Sequence, residues 1–302
     1  MKKLDLVIGC TNHTAATLSQ ILKMGVSLDQ VMVVDQDHAK HGSVALTAPR
    51  EGSVRLPYFD SVIEELNQGK YRNPESYIYT RIGNDLHAIE STWSKADQLS
   101  CLRSEANLGT LPDSLIVPSF RLYQKPQEAF VRRDRVHGGK GAGTMSDLLG
   151  DSPILVCDKA PDEYTTSLVL QADVIDGMVV AWDLLVSPSG FKDYADIFTI
   201  QGKSYEDTDF TPYCPNYVVS TDARGFGYSH SVDHFEDVAQ FVADACNVRE
   251  GMMSTELFCT RDLQECFYIE TNFRSADIVL ATSPAGYAYI RRQLIAKGVI
   301  EE

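Results

Sequence analysis

The stretch Phe267–Arg274, FYIETNFR, decides how this chain is read. On a β-strand alternate side chains share a face, so Glu270, Asn272 and Arg274 form one row of two oxygen donors and a cation. Upstream, MSTELF carries Glu256, and the tight turn around residues 260–264 joins the two stretches as a hairpin that brings Glu256 beside Glu270. Two carboxylates and an amide oxygen next to a cation make an oxygen-only donor set. Such a set suits Mg²⁺, which takes hard ligands and completes its shell with water or phosphate oxygens, whereas zinc requires His or Cys. A solvated hairpin with its polar face toward water has the same composition, so the surrounding sequence has to decide between the two.

Outward from the hairpin, the composition narrows the partners. The chain has 302 residues, 44% of them hydrophobic, enough for a large core and two or three domains. Its formal net charge of −15 argues against nucleic acid or an anionic membrane surface as partner, and makes any phosphate site a local basic island. Seven dispersed cysteines without a CxxC pair fit a reducing, cytoplasmic setting better than a disulfide framework. The start MKKLDLVIGC resembles a lipoprotein signal, but Asp5 leaves an apolar run far short of the roughly 7–15 residues such a signal needs. Leu4 to Cys10 therefore reads as a buried first strand. His230 and His234, four apart but without a third ligand, read as structural.

Along the chain, LDLVIGC, the helical spacing of AATLSQILKMG and VMVVD make a parallel strand–helix–strand unit. Asp35 ends its second strand where a dinucleotide fold holds a ribose, yet the first turn, GCTNHT, lacks GxGxxG, which argues against NAD. A helix is expected over 59–68, a strand over 77–83, and a helical stretch through His87, Trp93 and Lys95. Pro112 and Pro118 bracket a strand, FVRR begins the next, and strands then dominate, in ILVCD, EYTTSLVLQADV and GMVVAWDLLVS, followed by an irregular segment over 203–231. Helices over about 235–246 and 286–297 flank the hairpin. One further stretch stands out: FVRRDRVHGGKGAGTM, residues 130–145, runs basic side chains into a glycine loop whose bare backbone N–H groups can turn toward an anion.

Glu256 followed by Glu270-Thr271-Asn272-Phe273-Arg274 resembles the metal-binding signature of the ATP-grasp superfamily, and three more stretches match it in order. STWSKADQLSCLRS resembles the lysine-bearing helix that opens the nucleotide region. FVRRDRVHGGKGAG resembles the strand and glycine loop over the phosphates. ILVCDKAPDEYTTSLVL resembles the hinge strand beside adenine and the strand after it. Where the family commonly has lysine before the loop, this chain has Arg132, with Arg133 behind it; family alignment favours Arg132, and arginine keeps the charge while adding a fork for phosphate oxygens.

The resemblance implies an α/β (α+β) architecture: the ATP-grasp fold behind a Rossmann-like α/β domain, with nucleotide held between two α+β lobes. It implies domains 1–90, 91–157 and 158–302. The activity implied is ATP-dependent coupling of a small-molecule carboxylate to an amine through an acyl phosphate, with a regulatory nucleotide-binding module or a small-molecule kinase as alternatives. The cofactors implied are ATP and one or two Mg²⁺, with Mn²⁺ as a substitute. Glu256, Glu270 and Asn272 are the implied metal ligands. Lys95, Arg132, Gly138, Gly139, Gly141, Cys157, Asp158 and Glu163 are implied to hold the nucleotide, Glu163 at the ribose. Arg274 and Lys140 are implied to steady the transferring phosphoryl group, and Arg224, in STDARGFGYSH, is a candidate clamp for a substrate carboxylate. A homodimer is compatible with this reading.

Overall fold

The computed structural model describes residues 1–8, 11–35, 50–56, 74–83, 94–123, 131–133, 142–143, 154–188, 197–203, 210–212, 217–274 and 282–302. The helix expected over 59–68, the stretch 87–93 and the glycine loop with Gly138, Gly139, Lys140 and Gly141 lie outside the described residues.

The parallel unit at the start is present: β1 (Lys3–Ile8), α1 (Thr11–Lys23) and β2 (Val31–Asp35), with β3 (Ser53–Leu56) on the other side of β1, in the order β2-β1-β3. All pairings are parallel, and Leu4 and Leu6 are fully buried. The strand expected over 77–83 shrinks to β4 (Arg81–Ile82), which leaves the first sheet and pairs with a strand near the C-terminus. After it come α2 (Lys95–Ala106), β5 (Leu115–Ile116) and a four-stranded sheet ordered β6-β9-β7-β8, from β6 (Phe120–Tyr123), β7 (Val131–Arg133), β8 (Ala142–Gly143) and β9 (Ile154–Cys157).

The largest sheet is eight-stranded. It runs through β10 (Thr166–Ile175), β11 (Met178–Ser187), β12 (Phe198–Lys203), β13 (Val219–Ser220), β14 (Val248–Cys259) and β15 (Cys266–Asn272) in the order β13-β12-β11-β10-β14-β15-β5, with β4 also on β14. Long β-branched and aliphatic runs make β10 and β11 buried strands. They are joined by the two-residue turn Asp176-Gly177, whose φ values of 51° and 82° are those of the mirror-image turn that matches strand twist. Gly251 in β14 has φ 123°, and a Cβ there would lie 2.6 Å from Thr80 Cα, so only glycine lets the segment before β4 approach so closely.

Side-chain alternation divides this sheet into two faces. Leu168, Leu170, Ala172, Leu184, Leu257 and Tyr268 point to one face, where α2 and α3 (His234–Ala245) pack. On the other face, Ala181 and Met252 join a second core with α4 (Pro284–Ala296), β1 and β3. By the same alternation Ser254, Glu256, Glu270 and Asn272 of β14 and β15 lie on this second face. No helix among the described residues is long and apolar enough to cross a membrane.

Candidate active site

β14 and β15 pair antiparallel with Glu256 directly opposite Glu270 and Ser254 opposite Asn272, as hairpin pairing requires for one row on one face. The register shifts between Glu256 and Leu257, and this bulge takes up Ile269 without turning Glu256 away from Glu270. Asn272, almost buried, donates from Nδ2 to Glu256 Oε1 at 3.4 Å. Lys95, at the first position of α2, places Nζ 3.2 Å from Glu270 Oε2, with side-chain exposures of only 6% and 13%. Four of the residues singled out by sequence thus converge. The donors are two carboxylates and an amide, with a cation alongside, which is the chemistry that takes a hard divalent cation and the phosphates it carries. Arg274 lies two residues past Asn272, beyond the end of β15, and its carbonyl accepts from Ser254 Oγ at 3.0 Å.

Two residues beyond Glu256, on the same face, Phe258 is 38% exposed. Its β15 partner is Phe267, whose β5 neighbour is Ile116, 39% exposed. An apolar strip therefore continues from the cage toward the start of β10, where Ser167 pairs with Phe258. Phe258 and Ile116 are its exposed parts, while Phe267 between them is 5% exposed, with the Tyr164 ring edge-on to it at 6.5 Å. Sequence reading passed over Phe258 and Ile116. The period of two that links Glu256 to Phe258 was available; the lateral neighbour from β5, some 150 positions away, was not.

The segment between β9 and β10 lies at that end of the strip. Cys157 is buried, and the Asp158 backbone N–H donates to the Ser119 carbonyl at 3.0 Å while Asp158 Oδ2 accepts from the Ser119 N–H at 2.8 Å. The carboxylate of Asp158 thus pins the crossing between sheets. Arg132 lies in β7, its backbone paired with Leu155 of β9 and Ala142 of β8 in the smaller sheet.

Glu163 and Arg224 are not brought to the cage. Glu163 lines a cavity of about 860 Å³ at the tip of the β14–β15 hairpin, with Thr166, Phe226, Tyr228, Arg261 and Glu265. Thr166 points to the face opposite Glu256. Arg224 sits in a 3₁₀ turn, Ala223–Phe226, where its Nε is 3.1 Å from Asp222 Oδ1 and its side chain is 77% exposed. Hydrogen bonds from Arg224 hold the Asp222 carboxyl below its usual range. Among the described residues no three His, Cys, Asp or Glu gather as a metal group, and the candidate donor set is the hairpin's two carboxylates with the Asn272 amide.

No family model matches the sequence, and no curated protein does. Solved structures do resemble it. The D-Ala:D-Ser ligase VanG from Enterococcus faecalis superposes with a TM-score of 0.54 at 11% identity, over 99% of each chain. The D-alanine–D-alanine ligase from Bacillus anthracis gives 0.50 at 11% identity, again over 99% of each chain. An L-amino acid ligase from Bacillus licheniformis gives 0.50 at 12% identity, over 99% of this chain and 74% of that one. At such identities the likeness is one of fold, and together with the hairpin cage and the three sheets it identifies this chain as having the ATP-grasp fold.

Proposed function

We propose that this protein is an ATP-dependent ligase that activates a carboxylate as an acyl phosphate and joins it to an amine, releasing ADP and phosphate. The observation that carries the reading is the convergence of Glu256, Glu270, Asn272 and Lys95 on one sheet face, along which the apolar Phe258–Ile116 strip follows. In this reading the adenine lies along the strip, near the Cys157–Asp158 crossing, and the phosphates reach the cage. Glu256, Glu270 and Asn272 would hold one or two Mg²⁺, or Mn²⁺, whose charge when bound neutralises phosphate oxygens.

The chemistry asks the side chains for position and charge, not for covalent participation. A carboxylate oxygen of the substrate attacks the γ-phosphorus of ATP, and the bond to the bridging oxygen breaks with its electron pair leaving on ADP. The amine then attacks the acyl carbon, the C–O bond to phosphate breaks, and the nitrogen gives up its proton to the departing phosphate. Lys95 would touch the phosphates from the α2 side, Arg132 from the smaller sheet, and Arg274 would steady the tetrahedral intermediate. The loop with Gly138, Gly139, Lys140 and Gly141 would close over the γ-phosphate and keep water from the acyl phosphate. That the superposed enzymes bear the names of ligases for alanine, serine and L-amino acids supports an amino acid or small peptide as substrate.

The test is to incubate the protein with Mg·ATP and pools of amino acids and small peptides while following ADP and phosphate separately. ADP and phosphate that depend on both an acid and an amine establish ligation. ADP with a phosphorylated acceptor makes the protein a kinase, and nucleotide binding without ADP makes it a binding module; either would overturn the ligase reading.

A further inference from the structure

We propose that Gln98 is a positioning residue: its side-chain amide stands in for a missing strand beside β15 and so fixes Lys95 against the cage. The role in nucleotide binding rests on the function proposed above; the positioning itself does not.

Lys95 is an awkward choice where it stands. It is a cation at the first position of α2, the end of a helix that attracts anions, and it is 5% exposed, so its place has to be fixed by its neighbours. Ser94 caps the helix by accepting from the Asp97 N–H at 2.9 Å, which fixes where the helix starts but not where it lies against the sheet. One turn later Gln98, 3% exposed, supplies that placement. Its Oε1 accepts from the Thr271 N–H at 3.0 Å and from the Tyr268 hydroxyl at 2.8 Å, and its Nε2 donates to the Thr271 carbonyl at 2.9 Å.

Thr271 lies between Glu270 and Asn272, and β5 runs beside β15 only at Cys266 and Phe267. Both backbone groups of Thr271 would therefore face an open edge among the described residues, and a single glutamine amide satisfies both as a neighbouring peptide group would. Thr271 is held from below as well, with Oγ1 3.1 Å from Thr255 Oγ1 and 3.0 Å from the Tyr268 hydroxyl. A slip of α2 by one residue, about 1.5 Å along its axis, would break the three bonds and carry Nζ away from Glu270. Glutamine suits the place because one acceptor and one donor are needed at a fixed separation; glutamate lacks the donor and methionine both.

Two readouts on wild type, Gln98→Met, Lys95→Met and the double variant test this. In the ligand-free proteins, reductive methylation followed peptide by peptide should leave Lys95 protected in wild type and label it several-fold faster in Gln98→Met. In titrations with Mg·ATP, Gln98→Met should weaken binding about tenfold in the wild-type background and not at all in the Lys95→Met background. Equal losses in both backgrounds, or unchanged labelling of Lys95, would overturn the positioning role. If wild type binds no Mg·ATP, the proposed function falls and the labelling arm alone decides the role of Gln98. Should Gln98→Met not fold, Tyr268→Phe, which removes one of the three bonds, replaces it with the same two readouts.

Discussion

With its ammonium 3.2 Å from Glu270, Lys95 competes with any divalent cation for the same carboxylate. The sign of its effect therefore depends on what else is bound. Lys95→Met should tighten Mn²⁺ binding to the nucleotide-free protein by about tenfold, because one repulsive charge is gone, while ATP binds more weakly in the presence of metal. Manganese titration by electron paramagnetic resonance, with and without nucleotide, reads both changes; effects of the same sign would show that Lys95 faces neither partner. Glu270→Gln acts on both sides of the contact. It should lower Mg·ATP turnover by about a hundredfold or more and also cost about 1–3 kcal/mol of stability, since a buried ammonium loses its counter-charge. ADP release and the urea midpoint measure these two losses independently. The acidic and amide donors were legible in the sequence because a strand has a period of two and a tight turn forces pairing. The partner of Lys95 was not, since contact between a helix and a strand edge some 175 positions apart leaves no local pattern. For the same reason Gln98 reads in sequence as one more polar helix residue.

At the level of elements, the start of α4 depends on Asp183 of β11. Its Oδ2 accepts from Ser283 Oγ at 2.8 Å and from the Ala285 N–H at 2.9 Å, so a side chain from the sheet caps the helix that follows β15. Full burial raises the Asp183 carboxyl from its ordinary 3.8 to about 7, the two hydrogen bonds opposing the shift. Between those values the folded protein keeps a proton that the unfolded chain has released, so stability falls as pH rises from about 4 to about 7 and is level above. Asp183→Asn keeps the acceptor and has no proton to lose. The stability difference between variant and wild type should therefore grow with pH across that window, with a slope approaching 1.4 kcal/mol per unit, the value for about one proton. Urea unfolding from pH 5.5 to 8 avoids the isoelectric region near 4.9; parallel curves would mean that Asp183 is charged throughout. Most elements were legible: the parallel unit, the long buried strands, the hairpin and the last two helices follow from periodicity and turns. Several short strands were not: Ser53–Leu56, Phe120–Tyr123 and Phe198–Lys203 became strands only by pairing with β1, β9 and β11, and Arg81–Ile82 reads as part of the first sheet although Gly251 lets it pair with β14 instead.

At the scale of the whole molecule, charge and architecture set opposite demands on a nucleotide. The chain carries a net −15, so a free triphosphate is repelled on approach, and the cage itself is acidic. A divalent cation reverses both effects, since it pairs with the carboxylates and halves the charge of the triphosphate. In the proposed site the ligand would span the eight-stranded and four-stranded sheets, which are joined through the pinned crossing at Asp158 and Ser119, and the unfolded chain offers neither. Mg²⁺ and a non-hydrolysable ATP analogue at about a hundred times the dissociation constant should therefore stabilise the protein by about 2.7 kcal/mol, raising the calorimetric midpoint by about 5 °C. Mg²⁺ alone, or the analogue with a chelator, should give a far smaller shift. The gap between the metal-loaded and metal-free analogue should also narrow as salt rises, because screening weakens the repulsion felt by the bare triphosphate more than the contacts inside the site. A midpoint that rises equally with and without Mg²⁺ would place the nucleotide away from Glu256, Glu270 and Asn272, and the proposed site with it.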